Sequence, residues 1–131
     1  MTARPPELVK ALTAAAGPLA DLGVPVATQV PGTRPARFIR VVTTGGSEIA
    51  DYALAQPTAL IECWAAKTTD AYELAANAWI ALRATEGVEI GPGLWVQEAR
   101  VTLPVDFPDT HSGSPRWQFI FNPIVAQEET P

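Results

Sequence analysis

One segment of this chain, residues 68–85, holds apolar side chains at helical spacing over several turns. Ala71, Leu74, Ala75, Ala78 and Leu82 fall on a single stripe. The rest is cut into short pieces by thirteen prolines in 131 residues, about twice the average usage. One helix set between strands permits one crossover, while short pieces separated by turns pair with their neighbours as antiparallel ladders. The expected fold class is α+β: a mostly antiparallel sheet of about five strands with two helices packed on one face. The length suits a single domain, 1–131, with 1–5 and 126–131 as frayed ends.

The pieces read in order as follows. Residues 6–16 predict a first helix, with Leu8, Leu12 and Ala15 or Ala16 on one face, stopped by Gly17-Pro18. Leu19 and Leu22 pack just beyond it. Residues 24–30 predict a strand that Pro25 confines to an edge or a strand start. The next strand, 36–43, carries Phe38 and Val42 on one face and Ile39 and Val41 on the other, which calls for cover on both sides. Residues 44–57, with Gly45 and Gly46 and no sustained period, predict a long functional or mobile loop with one short helical turn near 49–54. Residues 58–65 are a β-branched and aromatic strand. The long helix follows, capped by Thr69 or Asp70, with Asp70 and Glu73 in a loose capping box. Gly87 ends it, and Gly91-Pro92-Gly93 makes a turn before a fourth strand at 94–103. Residues 104–115 are a second polar loop. The fifth strand, 116–125, alternates most clearly, with Trp117, Phe119 and Phe121 turned one way as core candidates.

Composition excludes several functions. The chain has nine basic and fourteen acidic residues, a formal net charge of -5. Nucleic-acid binding needs cations along the phosphates, and no cluster here is denser than Arg34, Arg37 and Arg40. One cysteine makes neither an internal disulfide nor a Cys-based zinc site. No apolar run approaches the ~20 residues of a membrane span. The N-terminal stretch lacks the basic start and unbroken apolar core of a secretion signal. The expectation is a soluble protein of a reducing compartment.

Candidate chemistry is thin. His111, the single histidine, lies near Asp106 and Asp109, so a divalent-cation site or a hydrolase triad can be drawn. Aspartate, proline, serine and glycine also make an ordinary solvated turn, and no second histidine supports a metal. Cys63, inside a strand, reads as a small buried hydrophobe rather than a nucleophile. Glu62 shares a face with Leu60 and Trp64 and is expected toward solvent or at an interface. Residues 43–47 offer glycines for an anion nest, without the spacing or lysine of a phosphate loop. Arg37 and Arg40 fall on opposite strand faces, so they are surface or subunit-contact arginines rather than one clamp. No catalytic constellation emerges, and the chain is expected not to be an enzyme, with no cofactor and no metal.

The order of motifs carries a resemblance. The run 34–41 (Arg-Pro-Ala-Arg-Phe-Ile-Arg-Val), then Thr44-Gly45-Gly46, then Ile61-Glu62-Cys63-Trp64-Ala65, leads into Thr69-Asp70-Ala71-Tyr72-Glu73-Leu74-Ala75. It closes with Pro108-Asp109, Ser112-Gly113 and Pro115-Arg116-Trp117-Gln118-Phe119. From about residue 5 to 125 this resembles the tail terminator, or tail completion, proteins of long-tailed siphophages, particularly those of actinobacterial hosts. The resemblance implies a ring, six-fold in the family, that caps the finished tail tube. Such a ring stops tube polymerisation and presents a surface to head-completion proteins. It implies as partners other copies of the chain, the tube protein and a head-completion or connector protein. The implied location is the head-proximal end of the virion tail, after assembly in the host cytoplasm. Such a ring does not hold DNA passing through its lumen, since the chain offers it few cations.

A ring needs two different patches per subunit. The candidate partner and subunit contacts are Arg37, Phe38, Arg40, Thr44, Gly45, Gly46, Asp109 and His111, with the edge strand near Val24 available to pair with a neighbour. Two alternatives stand beside the terminator: a head–tail connector or stopper component, and a small ligand-binding or enzymatic domain using the loop around His111.

Overall fold

A computed structural model of the chain describes residues 5–33, 35–50 and 54–127. Arg34, residues 51–53 of the expected loop and the expected frayed ends at 1–4 and 128–131 lie outside the described residues. The elements are α1 (Leu8–Thr13), a 3-10 turn (Ala20–Leu22), β1 (Val26–Ala27), β2 (Arg37–Ala50), β3 (Leu54–Ala65), α2 (Thr68–Arg83), β4 (Glu89–Gly91), β5 (Leu94–Glu98), β6 (Val105–Asp106), β7 (Arg116–Phe121) and β8 (Ile124–Gln127). The fold is α+β with a mostly antiparallel sheet, as expected, but the sheet has eight strands rather than five.

The three additional strands each have a local cause. The single strand expected at 116–125 is two, because Pro123, which has no N–H to give a ladder, falls between β7 and β8. Its last residues, Ala126 and Gln127, are in β8 and pair with β3 and β5, so 126–127 is not a frayed end. Residues 105–106, expected inside a loop, pair with β7 as Val105↔Gln118 and Asp106↔Trp117. The turn at 91–93 is flanked by a strand on both sides, adding β4. The fourth strand ends at Glu98, after a register shift between Val96 and Glu98.

The largest departure is at 44–57. No long loop exists among its described residues. They continue β2 and β3 as one antiparallel ladder, from Arg37↔Ala65 to Ala50↔Leu54. The glycines that suggest a loop serve instead as a bulge. The register shifts between Thr43 and Gly45, and Gly45 and Gly46 have φ of 96° and 129°. A Cβ on Gly46 would fall on the carbonyl oxygen of Gln56 in the facing strand. Only glycine permits that approach and that backbone angle.

The strand order β1-β2-β3-β8-β5-β4, with β7 and β6 branching from β3, curls around the core. Helix α1 packs against β1 and β2 and also against β4, the two ends of that path. It is shorter than the 6–16 expected, and Leu8, Ala11 and Leu12 are its buried residues. Helix α2 lies across β3 and β7. Its buried side chains, Ala71, Leu74, Ala75, Ala78 and Leu82, are the predicted stripe. Its N-cap is Lys67 with no side-chain cap bond, so neither Thr69 nor Asp70 caps it; Asp70 faces Arg37 instead, 3.3 Å away.

Both helices serve one core. Ile39 and Val41, Ile61 and Cys63, Phe119 and Phe121 meet Leu12, Leu19, Leu74 and Leu82 there, while Trp117 is half-buried at its margin. Trp117 Nε1 donates to Thr68 Oγ1 at 3.1 Å, tying the start of α2 to β7. At residues 24–30 the strand is only two residues long. It runs parallel to β2, with Ile39 N–H donating to Pro25 O at 2.9 Å.

Candidate functional site

The alternation that sends Ile39, Ile61 and Phe119 to the helices sends Phe38, Arg40, Glu62, Trp64 and Arg116 to the opposite, outer face. Register brings them together: Phe38 stands opposite Trp64, Arg40 opposite Glu62, and Trp64 opposite Arg116. Glu62 is only 4% exposed, so of the two places expected for it, solvent or an interface, the chain's own fold rules out the first. An isolated carboxylate at that depth is untenable, and two guanidiniums flank it. Arg40 Nη1 lies 3.2 Å from Glu62 Oε1 and Arg116 Nη1 lies 3.6 Å from Oε2. Trp64 Nε1 donates to Oε1 at 3.3 Å. The cluster therefore carries one positive charge more than it neutralises.

Aromatic rings seal it. Phe38 and Trp64 stack with centroids 5.3 Å apart. The Arg116 guanidinium lies 5.0 Å from the Trp64 ring and 5.3 Å from the Phe107 ring, a cation–π arrangement strengthened by partial burial. Arg116 Nε donates to Phe107 O at 2.9 Å. One arginine thus fastens the 107–115 loop to the sheet.

That loop holds Asp109 and His111. Asp109 accepts from the N–H of Ser112 at 2.9 Å and from its hydroxyl, and Gly113 N–H donates back to Asp109 O at 2.8 Å. The Ser112 hydroxyl, then the Ser112 N–H, hold the Asp109 carboxyl below its ordinary range, with smaller help from Arg116 and His111. His111 is exposed at the turn. Among the described residues no three of His, Cys, Asp and Glu converge as a metal site. Cys63 is fully buried. Burial first, and the Glu62 charge second, push its thiol far above the ordinary value, which suits packing and not attack.

The sequence-derived contact residues divide into three places. Phe38 and Arg40 belong to the outer-face cluster, and the Asp109 and His111 loop adjoins it through Arg116. Arg37 is on the helix side, paired with Asp70. Thr44, Gly45 and Gly46 lie farther along β2, where Thr44 Oγ1 donates to Thr58 O at 3.2 Å. β2 is 14 residues long, so its ends stand about 45 Å apart. Sequence reasoning did not single out Arg116 and Phe107, nor the exposed run Leu103, Val105 and Phe107 (78%, 51% and 49% exposed). The alternation of apolar residues at 103, 105 and 107 was the signal available for that run. Nothing short of the strand register could have placed Glu62 between two arginines.

No protein-family model matches the chain, and no curated protein matches it in sequence. Among solved structures, a chain of one described as "Virion of native gene transfer agent (GTA) particle" is similar in fold. The TM-score is 0.54 at 15% identity, over 94% of this chain and 87% of that one.

Proposed function

We propose that this protein is a structural component of a phage-like virion, with no enzymatic activity of its own. The observation that carries the reading is the fold likeness to a chain of a gene transfer agent virion, over most of both chains. What the site can do chemically agrees. Its buried charges are satisfied internally by one another, its thiol is sealed in, and its exposed groups are strand edges, apolar side chains and a turned loop. Those are the materials of protein–protein contact.

Within that class the reading is a tail terminator: a ring, six copies by the resemblance, that caps the tube at the head-proximal end and offers the head a joining surface. Support comes from the ordered motifs between residues 5 and 125 and from candidate contact residues at separate places, near the start of β2 and at its bulge. A subunit with distinct contacts at separate places suits head-to-tail closure into a ring.

Deleting the gene and imaging the particles tests this. A terminator's loss gives tubes of uncontrolled length; a connector's or stopper's loss gives tails of normal length without heads. Particles of normal form and yield would overturn both. Purified protein added to polymerising tube subunits should shorten the tubes in proportion to its concentration.

A further inference from the structure

Among the described residues the two most exposed large apolar side chains are Leu103, at 78%, and Ile80, at 60%. They belong to different segments and lie beside one tryptophan. Ile80 follows Trp79 on α2, and Trp79 Nε1 donates at 3.0 Å to the carbonyl oxygen of Thr102, the residue before Leu103. On a helix, positions 72, 76, 79 and 83 share one flank. That flank is distinct from the buried stripe and is turned toward β7, where Tyr72 meets Trp117 edge-on with centroids 4.9 Å apart. A strip of exposed apolar surface thus runs along α2 from Tyr72, over Ala76, to Trp79, Ile80 and Leu103. From 72 to 83 it covers about 16 Å of the helix.

The strip has ridges around a hollow. Ala76 stands one turn from Tyr72 and one turn from Ile80, so a small side chain between large ones leaves room for a side chain of another helix. The large groups are ordered in advance. The Trp79 indole is held by Thr102 O and by the Arg83 guanidinium 4.7 Å from its ring centre, and Tyr72 is held by Trp117. Trp, Tyr and Arg fixed before contact lose little rotamer freedom on binding.

Charge gives the strip a direction. At the Tyr72 end stand two exposed carboxylates: Glu73, the next residue, and Asp106, which pairs with Trp117 across the ladder and so shares its face. At the Trp79 end stands Arg83. Among the described residues no cation pairs with Glu73 or Asp106, and no carboxylate pairs with Arg83. Helices favour acidic side chains in the first turn and basic ones in the last. Such a helix, laid antiparallel to α2, brings its basic end to Glu73 and Asp106 and its acidic end to Arg83. Laid parallel, it would set like charges together at both ends.

We propose that this strip is the docking site for an amphipathic helix of a partner protein, antiparallel to α2, with its apolar face between Tyr72 and Leu103 and one side chain seated over Ala76. Helix-in-groove recognition uses anchors at i, i+3 or i+4, and i+7 on the incoming helix, a spacing that matches the ridges of α2. That the partner is another virion component rests on the function proposed above; the site and the helix direction do not.

The test uses the full chain and two labelled synthetic helices of about 18 residues, or five turns. Both carry the same apolar face; one is acidic in its first turn and basic in its last, and the other has those charges exchanged. Fluorescence anisotropy follows binding up to about 1 mM protein. The first peptide should bind, and the second should bind about threefold or more weakly at low salt. Ile80→Gln and Leu103→Ser, which remove apolar surface without adding charge, should each weaken the first peptide about tenfold. Ile49→Gln, exposed elsewhere on β2, should leave it unchanged, and Glu73→Arg combined with Arg83→Glu should cancel the preference between peptides. Circular dichroism verifies that each variant folds. No binding of the first peptide by 1 mM, indifference to Ile80→Gln and Leu103→Ser, or equal affinity for both charge orders would overturn the proposal. Self-association of the chain that Ile80→Gln abolishes would also overturn it, giving the strip to a second copy. If gene deletion disturbs particles but the Ile80→Gln and Leu103→Ser proteins build normal ones, the docking site falls and the virion reading stands. Peptide binding as expected, with normal particles after deletion, would do the reverse.

Discussion

Glu62 concentrates the outer face in a single carboxylate. Its side chain is 6% exposed, Arg116 is 12% and Arg40 34%, so removing the acid strands one guanidinium in the interior and another half in water. Glu62→Ala should cost about 3 kcal/mol, toward the lower end for a broken buried pair because Arg40 can turn outward. The urea midpoint measures that. If loss is below about 1 kcal/mol, the pair behaves as a surface one and Glu62 does not organise the face. Asp109 is its counterpart in the 107–115 loop. With its folded pKa lowered beneath the ordinary 3.8, it contributes loop order that is present above 3.8 and lost as pH falls through the lower, folded value. Exchange of the Ser112 amide should therefore accelerate as pH drops below 3.8, relative to neighbouring amides. Asp109→Ala should exchange fast throughout.

The β2–β3 ladder shows where sequence reading succeeds and where physics hides the answer. The α2 stripe was legible because five apolar residues at helical spacing all face one core. The 116–121 alternation was legible because β7 has one buried face. Residues 44–57 gave no such signal: residues 43–49 are exposed, so no period of two distinguishes them, and the paired glycines that make their bulge are also turn residues. The outer-face cluster stayed hidden for another reason, since pairing Arg40 with Glu62 depends on a register that composition does not encode. Two substitutions separate the roles of the glycines. At Gly46 an alanine meets both a positive φ and the Gln56 carbonyl, while at Gly45 only the φ of 96° opposes it. Gly45→Ala should cost about 1–2 kcal/mol and Gly46→Ala distinctly more, about 3 kcal/mol. Thermal unfolding of the pair checks the order. Equal losses would mean that Gln56 gives way and the close approach is not a constraint.

For the whole molecule, charge and self-association make opposing demands. Each copy carries -5, so bringing copies together accumulates like charge, and repulsion works against any ring. Apolar contacts between copies are almost indifferent to salt over this range, whereas the repulsion is screened once the Debye length falls to about 8–10 Å. Self-association should therefore strengthen as ionic strength rises from about 0.01 to 0.15 M, then level off. Contacts built on ion pairs between copies, through Arg37 or Arg40 reaching a neighbour's carboxylates, would weaken over the same range. Arg40 is already engaged by Glu62 and Arg37 by Asp70 within one protomer, so the first behaviour is the one expected. Sedimentation or light scattering across that range decides it. A fall in association with added salt would place the subunit contact on ion pairs between copies.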